Sequence, residues 1–515
     1  MLVRERVVSR AVAARESVRM LKMPELDQAV LGRRSELAAG LRRIIDPEAV
    51  IADNDALKAY ETDGLTAYKQ TPMIVALPST TAEVAEILKL CSAGGVKVVP
   101  RGAGTSLSGG ALPLGDGVLL GLAKFNRILD IDYANRCAVV QPGVTNLAIT
   151  QAVEAQGFYY APDPSSQIAC TIGGNVAENS GGIHCLKYGV TTNNILGLEM
   201  VLVNGDVIRL GGRHLDSEGY DLMGVMTGSE GLLGVITEVT VRLLKRPETA
   251  RALLIGFPSN ERAGDCVAKV IAGGIIPAGM EMMDRYAIHA AEEFCHPGYP
   301  LDAEALLIVE LDGPAVEVDH LVERVRTIAD DAGAESVRIS ESEAERMAFW
   351  AGRKAAFPAV GRISPDYYCM DGTIPRGKLP IVLARMAELS TKYGLRLANV
   401  FHAGDGNLHP LILYDANQPG ELERAEDFGA DILRLCVEVG GVLTGEHGVG
   451  VEKRDLMGIM FNEDDLNHQQ RLKCAFDPDG YLNPGKVFPT LHRCAELGRM
   501  HIHHGQVPFP DIPRF

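Results

Sequence analysis

His402 and His409 bracket Asp405-Gly406 in the run Phe401-His-Ala-Gly-Asp-Gly-Asn-Leu-His-Pro410. Asp-Gly favours a type I′ turn, so a strand ending at Phe401 and another beginning at Leu408 form a hairpin. Centring the turn on 405 and 406 pairs 404 with 407, 403 with 408 and 402 with 409, which sets the two histidines opposite each other. Opposed β-carbons lie roughly 4.5–5.5 Å apart, so both imidazoles reach one metal ion, although two buried core histidines would give the same pattern. A third group stands in Thr444-Gly-Glu-His-Gly-Val-Gly450, where glycines bracket Glu446 and His447. Glu446 can complete a His-His-Glu set that leaves coordination positions open for a substrate, as a catalytic rather than a structural metal site does. His447 points away from its neighbour and is then the natural general base, an imidazole that titrates near 6.5 when unperturbed.

Three other segments are dense in glycine and hydroxyl groups. The first holds Arg101, Gly102, Ala103, Gly104, Thr105, Ser106 and Gly109 directly after a strand. Pro162, Asp163, Ser165 and Ser166 lead into the second, which holds Thr171, Gly173, Gly174, Asn175, Asn179, Gly181 and Gly182. Glu230, Gly231, Gly234 and Ile236 belong to the third. Glycines permit positive φ and close backbone approach, so successive N–H groups converge on an anion. Singly each segment reads as a tight turn; three in one region imply a large phosphate-bearing cofactor gripped mainly by backbone. The first is not a dinucleotide fingerprint of the Rossmann kind, because Leu107 takes the third glycine position and a strand follows, which disfavours NAD.

The elements around these loops are legible in part. Residues 72–78 read as a short buried strand, and Thr80 with Glu83 forms a capping box opening a helix whose apolar residues Val84, Ile87, Leu88 and Cys91 recur at helical spacing before Gly94-Gly95. Strands at 96–100, 118–122 and 138–141 and a helix at 145–156 continue a mixed pattern. Lys245-Arg-Pro247 reads as a linker. Beyond it a strand at 305–311 and a helix at 316–331 point to a second α+β domain, and 508–513 reads as an extended tail.

The chain has 515 residues, about three domain equivalents at roughly 150 residues each. Its 50 basic against 67 acidic residues give a net charge of −17, the wrong sign for a nucleic-acid partner. None of the 10 cysteines forms a Cys-x-x-Cys pair, so no iron–sulfur cluster or zinc ribbon is written here and the cysteines read as reduced and buried. No apolar run reaches the ~18 residues of a membrane span. The first 22 residues are basic and lack an apolar signal core; they read as a targeting helix or as a dispensable extension ahead of Met23.

The glycine segments together resemble the FAD-binding domain of the vanillyl-alcohol-oxidase, or PCMH-type, flavoproteins. The histidine run, Gly445-Glu-His-Gly-Val-Gly450 and Phe476-Asp-Pro-Asp-Gly-Tyr-Leu-Asn-Pro-Gly-Lys486 are similar to the FAD-linked D-2-hydroxyacid dehydrogenases, and the likeness runs from about Leu26 over nearly the whole chain to members that oxidise glycolate in multi-subunit complexes. The resemblance implies an α+β fold: a lead-in over 1–68, a PCMH-type FAD-binding domain of two α+β subdomains over 69–247, a ferredoxin-like substrate and metal domain with C-terminal helices over 248–490, and a tail over 491–515. It implies FAD held by the loop residues above and by Asn483, non-covalently since residues 101–110 hold no His or Cys. It makes His402, His409 and Glu446 ligands of a divalent metal, Zn, Mn, Fe or Co, His447 the base, and Arg353 the group that grips the substrate carboxylate. Phe357, Cys369 and Leu411 offer no charge for a second carboxylate, which favours a small monocarboxylate. The implied activity is oxidation of glycolate, and of D-lactate, by hydride transfer to flavin, beside a second FAD-binding subunit and an iron–sulfur subunit. The implied location is the cytoplasm, with peripheral membrane attachment through partners. The alternatives are a stand-alone D-lactate or D-2-hydroxyacid dehydrogenase and a silent flavin-binding subunit.

Overall fold

The structure is a computed structural model that describes residues 23–215 and 219–489; the basic segment 1–22 and the tail 491–515 lie outside the described residues. The N-terminal signals fold locally as their chemistry dictates. Thr80 accepts the Glu83 N–H, and the Glu83 carboxylate accepts the N–H groups of Ser79 and Thr80, which starts the helix Thr81–Ala93. That helix covers a four-stranded sheet ordered Val50–Ile51, Ile74–Ala76, Gly117–Gly121, Lys97–Arg101, whose last three strands are parallel. A five-stranded antiparallel sheet follows, ordered Ile128–Asp132, Cys137–Val140, Val235–Arg242, Ile195–Val201, Val207–Gly211. The helix expected over 145–156 is α-helical at Asn146–Val153 and tightens into a 3₁₀ turn at Glu154–Gln156.

Residues 245–247 are not a free linker. Leu244–Lys245 pairs with Phe158–Tyr159, and the Arg246 N–H donates to the Gly157 carbonyl. Pairing satisfies backbone groups that a loop would leave to water.

From Thr249 onward the chain builds a seven-stranded antiparallel sheet, ordered Ser336–Ile339, Thr249–Phe257, Ala305–Gly313, Gly279–Asp284, Leu397–Phe401, Pro410–Tyr414, Asp366–Cys369. Its first four strands run 4-1-3-2 in chain order with helices Asn260–Ala272 and Ala315–Asp331 as crossovers, the ferredoxin-like arrangement. Alternation sorts the side chains: Leu253, Ile255, Phe257, Leu307 and Val309 pack into one core, and Ala252, Leu254, Leu306 and Ile308 into another. Among the described residues no helix is long and apolar enough to cross a membrane. Eight described cysteines are free, and all but Cys295 are buried; Cys474 departs from the reduced state expected of it and is disulfide-bonded.

Candidate active site

The face of the seven-stranded sheet that carries Ile308, Met283, Val400 and Leu411 also carries Glu281, His402 and His409, because each shares strand parity with one of them. The hairpin register differs from the expected one. His402 lies opposite Asn407, not His409, and Asn399 lies opposite Pro410, so 403–406 form a four-residue loop. The Asp405 carboxylate accepts the Asn407 N–H at 3.0 Å, Gly406 at φ +89 returns its N–H to the His402 carbonyl at 3.1 Å, and Asn407–Leu408 is drawn into pairing with Gly372–Thr373. The slip is an even two residues, so both histidines stay on one face as diagonal neighbours. Their ring centroids are 4.9 Å apart.

Glu446 joins them. Its Oε1 lies 3.2 Å from His402 Nε2 and 3.0 Å from His409 Nε2, and the three candidate ligand atoms lie within 4.8 Å of one another. Burial alone would protonate Glu446, but the two imidazoles hold its carboxyl well below its ordinary value. Burial likewise disfavours charge on His402, yet Glu281 and Glu446 raise it well above 6.5. His402 Nδ1 bonds Glu281 Oε1 at 2.7 Å, while Glu281 Oε2 accepts from Arg353 Nε at 2.8 Å. A carboxylate behind a ligating imidazole fixes its tautomer and orientation. These donors could hold a divalent ion.

His447 stacks on His409 at 4.8 Å and 10°, with its Nε2 4.0 Å from Glu446 Oε1. Burial pulls its pKa down to about 4, helped by His409 and opposed by Asp371, so the ring is neutral at pH 7. The loop that bears Glu446 and His447 is strung between two carboxylates. Asp371 accepts the N–H groups of Gly445, Glu446 and His447 and the Thr444 hydroxyl, with Lys453 as its buried counter-ion at 3.0 Å. Glu230, on the third glycine-rich loop, accepts the N–H groups of Val449 and Gly450, each at 2.7 Å.

His402, His409, Glu446, His447 and Arg353 open on one cavity of about 520 Å³. Its walls bring together Arg353, His402, His409, Glu446 and His447 with Arg101 to Ser106, Ser165, Ser166, Thr171, Gly173, Gly174, Asn175, Glu230, Gly231, Gly234 and Ile236. The other expected cofactor residues support this cavity without lining it. Pro162 accepts from Asn146 and Asp163 binds His184; Asn179 caps a helix, and Gly109, Gly181 and Gly182 sit where a Cβ would strike Val451, Glu446 and the Asp163 backbone. Asn483 donates to the Gly110 and Glu230 carbonyls at 2.9 and 2.7 Å, tying two of the loops together rather than facing the cavity.

Residues 72–211 match the FAD binding domain family, and residues 246–487 match the FAD linked oxidases, C-terminal domain. The chain is 57% identical over 493 residues to glycolate oxidase subunit GlcD of Escherichia coli (strain K12), covering 96% of this chain and 98% of that one. The chain belongs to the FAD-linked oxidases. A D-lactate dehydrogenase of Anaerostipes hadrus is 32% identical over 86% of this chain and 95% of its own. In fold, this FAD-linked oxidase superposes on p-cresol methylhydroxylase with a TM-score of 0.75 at 17% identity, covering 90% of this chain and 97% of the other, which shows the PCMH-type α+β architecture.

The cavity of this FAD-linked oxidase fits the cofactor of its family. No backbone N–H from Gly102 to Ser106 donates to another described residue, Thr171 Oγ1 is buried without a partner, and a Cβ at Gly102 would collide with it. Those are donors set out for an oxygen-rich anion. Glu281, Asp371 and Lys453 were missed in the sequence; the available signal was a carboxylate inside an apolar strand, as in Gly279-Met-Glu-Met-Met-Asp284, since a buried charge needs a partner.

Proposed function

We propose that this chain oxidises glycolate to glyoxylate, and D-lactate to pyruvate, as the catalytic subunit of a multi-subunit glycolate oxidase. The observation that carries this reading is the convergence of Arg353, His447 and the His402, His409, Glu446 set on the cavity lined by the glycine loops. FAD, held non-covalently by those loops, supplies the hydride acceptor when bound. His402, His409 and Glu446 would hold a divalent ion, which would supply positive charge favouring loss of the substrate hydroxyl proton; the donor set suits Zn, Mn, Fe or Co.

The chain's own groups do the rest. Arg353 is fully buried, and its Nη1 has no partner, which leaves a fixed donor for the substrate carboxylate. His447, neutral at working pH, takes the hydroxyl proton as the C–H bond is broken. Phe357 packs edge-on against His409 and helps exclude water. Phe357 on the inner wall and the buried Cys369 and Leu411 present no charge to a second carboxylate there, and Lys354 stands where the cavity meets its neighbour, so the inner wall favours a small monocarboxylate.

The likeness to a glycolate oxidase subunit supports a complex in which electrons leave through an iron–sulfur subunit, beside a second FAD-binding subunit, on the cytoplasmic face of the membrane. The D-lactate dehydrogenase relative favours a second reading, a stand-alone D-2-hydroxyacid dehydrogenase. A silent flavin subunit has no physical need for the intact histidine and glutamate set. Dye-linked turnover of the FAD- and metal-loaded chain separates these. Glycolate and D-lactate should both support turnover and L-lactate should not; D-lactate alone moves the reading to the stand-alone enzyme, and no turnover with any of them overturns it.

A further inference from the structure

A second cavity, of about 760 Å³, lies beside the first. Its walls come from both halves of the molecule, including Tyr159 and Asp163 on one side and Ala250, Glu310 and Arg346 on the other. It reaches the surface at Glu248, Glu341 and Glu343, which are exposed. One cation, Lys354, lines both cavities. Lys354 follows Arg353 in the helix Glu343–Val360, about 100° around the axis from it. The Lys354 side chain is 32% exposed where that of Arg353 is 0%, so the two cations step from water into the site.

The charge on Lys354 is not consumed by its surroundings. Its carboxylate neighbour, Asp163, lies 3.9 Å away and already accepts from the His184 N–H at 3.2 Å and from His184 Nδ1 at 2.9 Å. Burial disfavours charge on His184, but Asp163 and Glu310 raise it to about 10, so it is a cation. Glu310 accepts in turn from Arg346 Nη1 at 2.7 Å and from the Trp350 indole. His184 pairs with Asp163, Arg346 is shared between Glu310 and the exposed Glu343, and Lys187 pairs with the third buried carboxylate, Asp312, which leaves Lys354 with the 3.9 Å contact to Asp163.

We propose that the second cavity is the route by which the anionic substrate reaches the flavin cavity, and that the Lys354 ammonium at the junction captures its carboxylate and passes it to Arg353. This rests on the reading of the chain as a 2-hydroxyacid dehydrogenase. Lys354 belongs to the walls of both cavities and stands next to Arg353 in the chain, so a path from the second cavity to Arg353 lies past Lys354. A cation where two cavities meet raises the local concentration of an anion there.

Lys354→Met keeps the apolar stem and removes the charge, and Lys354→Arg keeps the charge. Two measurements on the FAD- and metal-loaded chain read the effect: anaerobic stopped-flow reduction by glycolate, and the flavin spectral shift on titration with oxalate. Lys354→Met should weaken apparent affinity for both anions about tenfold, leave the limiting reduction rate within about twofold and flatten its salt dependence. Lys354→Arg should behave as the unsubstituted chain. Ala250→Trp fills the second cavity away from the flavin and should lower the second-order rate of reduction at least about fivefold with an unchanged limiting rate and FAD content. Unchanged oxalate affinity in Lys354→Met, or an unchanged second-order rate in Ala250→Trp, overturns the proposal. If glycolate fails to reduce the unsubstituted chain, the functional reading fails instead, and the oxalate titration still decides the role of Lys354.

Discussion

Replacing Glu281 by Gln removes the one negative charge on which Arg353 and His402 both depend. The Glu281 and Arg353 side chains are 1% and 0% exposed, and the carboxylate accepts from Arg353 Nε at 2.8 Å and meets His402 Nδ1 at 2.7 Å. Glu281→Gln leaves a fully buried guanidinium without a counter-charge, which costs about 3–5 kcal/mol. The retained amide oxygen can still accept one bond, so the lower end, about 3 kcal/mol, is expected. Loss of the carboxylate behind His402 should also weaken metal binding about 10- to 100-fold. Arg353→Met leaves Glu281 bonded to His402 and should destabilise less. The double variant should then be more stable than the sum of the singles predicts by about 1–3 kcal/mol, since the residues share one network. Urea unfolding followed by circular dichroism gives the stabilities, and competition with a chromophoric chelator gives the metal affinity. If Glu281→Gln stays within about 0.5 kcal/mol of the unsubstituted chain and its metal affinity is unchanged, the ion pair does not organise this site, and the geometric reasoning is refuted.

Four further outcomes follow from the same geometry. His447→Asn should lower flavin reduction by glycolate about 10²- to 10⁴-fold while FAD stays bound; with His447 held near 4 and active when neutral, the base limb of the pH profile should fall as pH drops through about 4, and a limb near 6.5 contradicts the burial argument. Gly102→Ala, whose Cβ would strike Thr171 Oγ1 in the first glycine loop, should yield protein that purifies folded but colourless, checked by the ratio of flavin to protein absorbance. Glu452 is pushed up to about 8 by burial, opposed by Lys453, so the folded chain keeps a proton that the unfolded chain releases above its ordinary 4.5. Stability contributed by that proton is present below 4.5 and is lost as pH rises toward 8, and thermal midpoints of Glu452→Gln should show a shallower fall across that window. Dialysis against a chelator should abolish reduction by glycolate without changing the oxidised flavin spectrum, and a divalent ion should restore it.

Local chemistry was legible in the sequence. The capping box at Thr80 and Glu83, the glycine loops and the turn of chain at Asp405-Gly406 each depend on neighbours a few residues away, but the expected two-residue type I′ turn became a four-residue loop over 403–406. The turn register was not legible, because the Asp405 side chain bonds the Asn407 N–H and so lengthens the loop, a competition between side chain and backbone that the dipeptide rule does not weigh. Glu281, Asp371 and Lys354 were hidden for another reason. Glu281 meets His402 across 121 positions, Asp371 meets His447 across 76, and Lys354 faces Asp163 from the other half of the chain. Such contacts are set by sheet order and by how the two halves meet, which periodicity does not report. Asn483 was placed at the flavin by resemblance, yet its amide spans two loops whose proximity exists only in the folded chain.

The oxidation of a small D-2-hydroxy acid at this cavity is tested most directly by anaerobic titration of the FAD- and metal-loaded chain with glycolate, D-lactate, L-lactate and D-2-hydroxyglutarate, following oxidised-flavin absorbance. Stoichiometric bleaching by glycolate and D-lactate, with none by L-lactate or D-2-hydroxyglutarate, is the expected result. A flavin that stays oxidised with all four, with both cofactors bound, would contradict the assignment of Arg353, His447 and the His402, His409, Glu446 set to this chemistry.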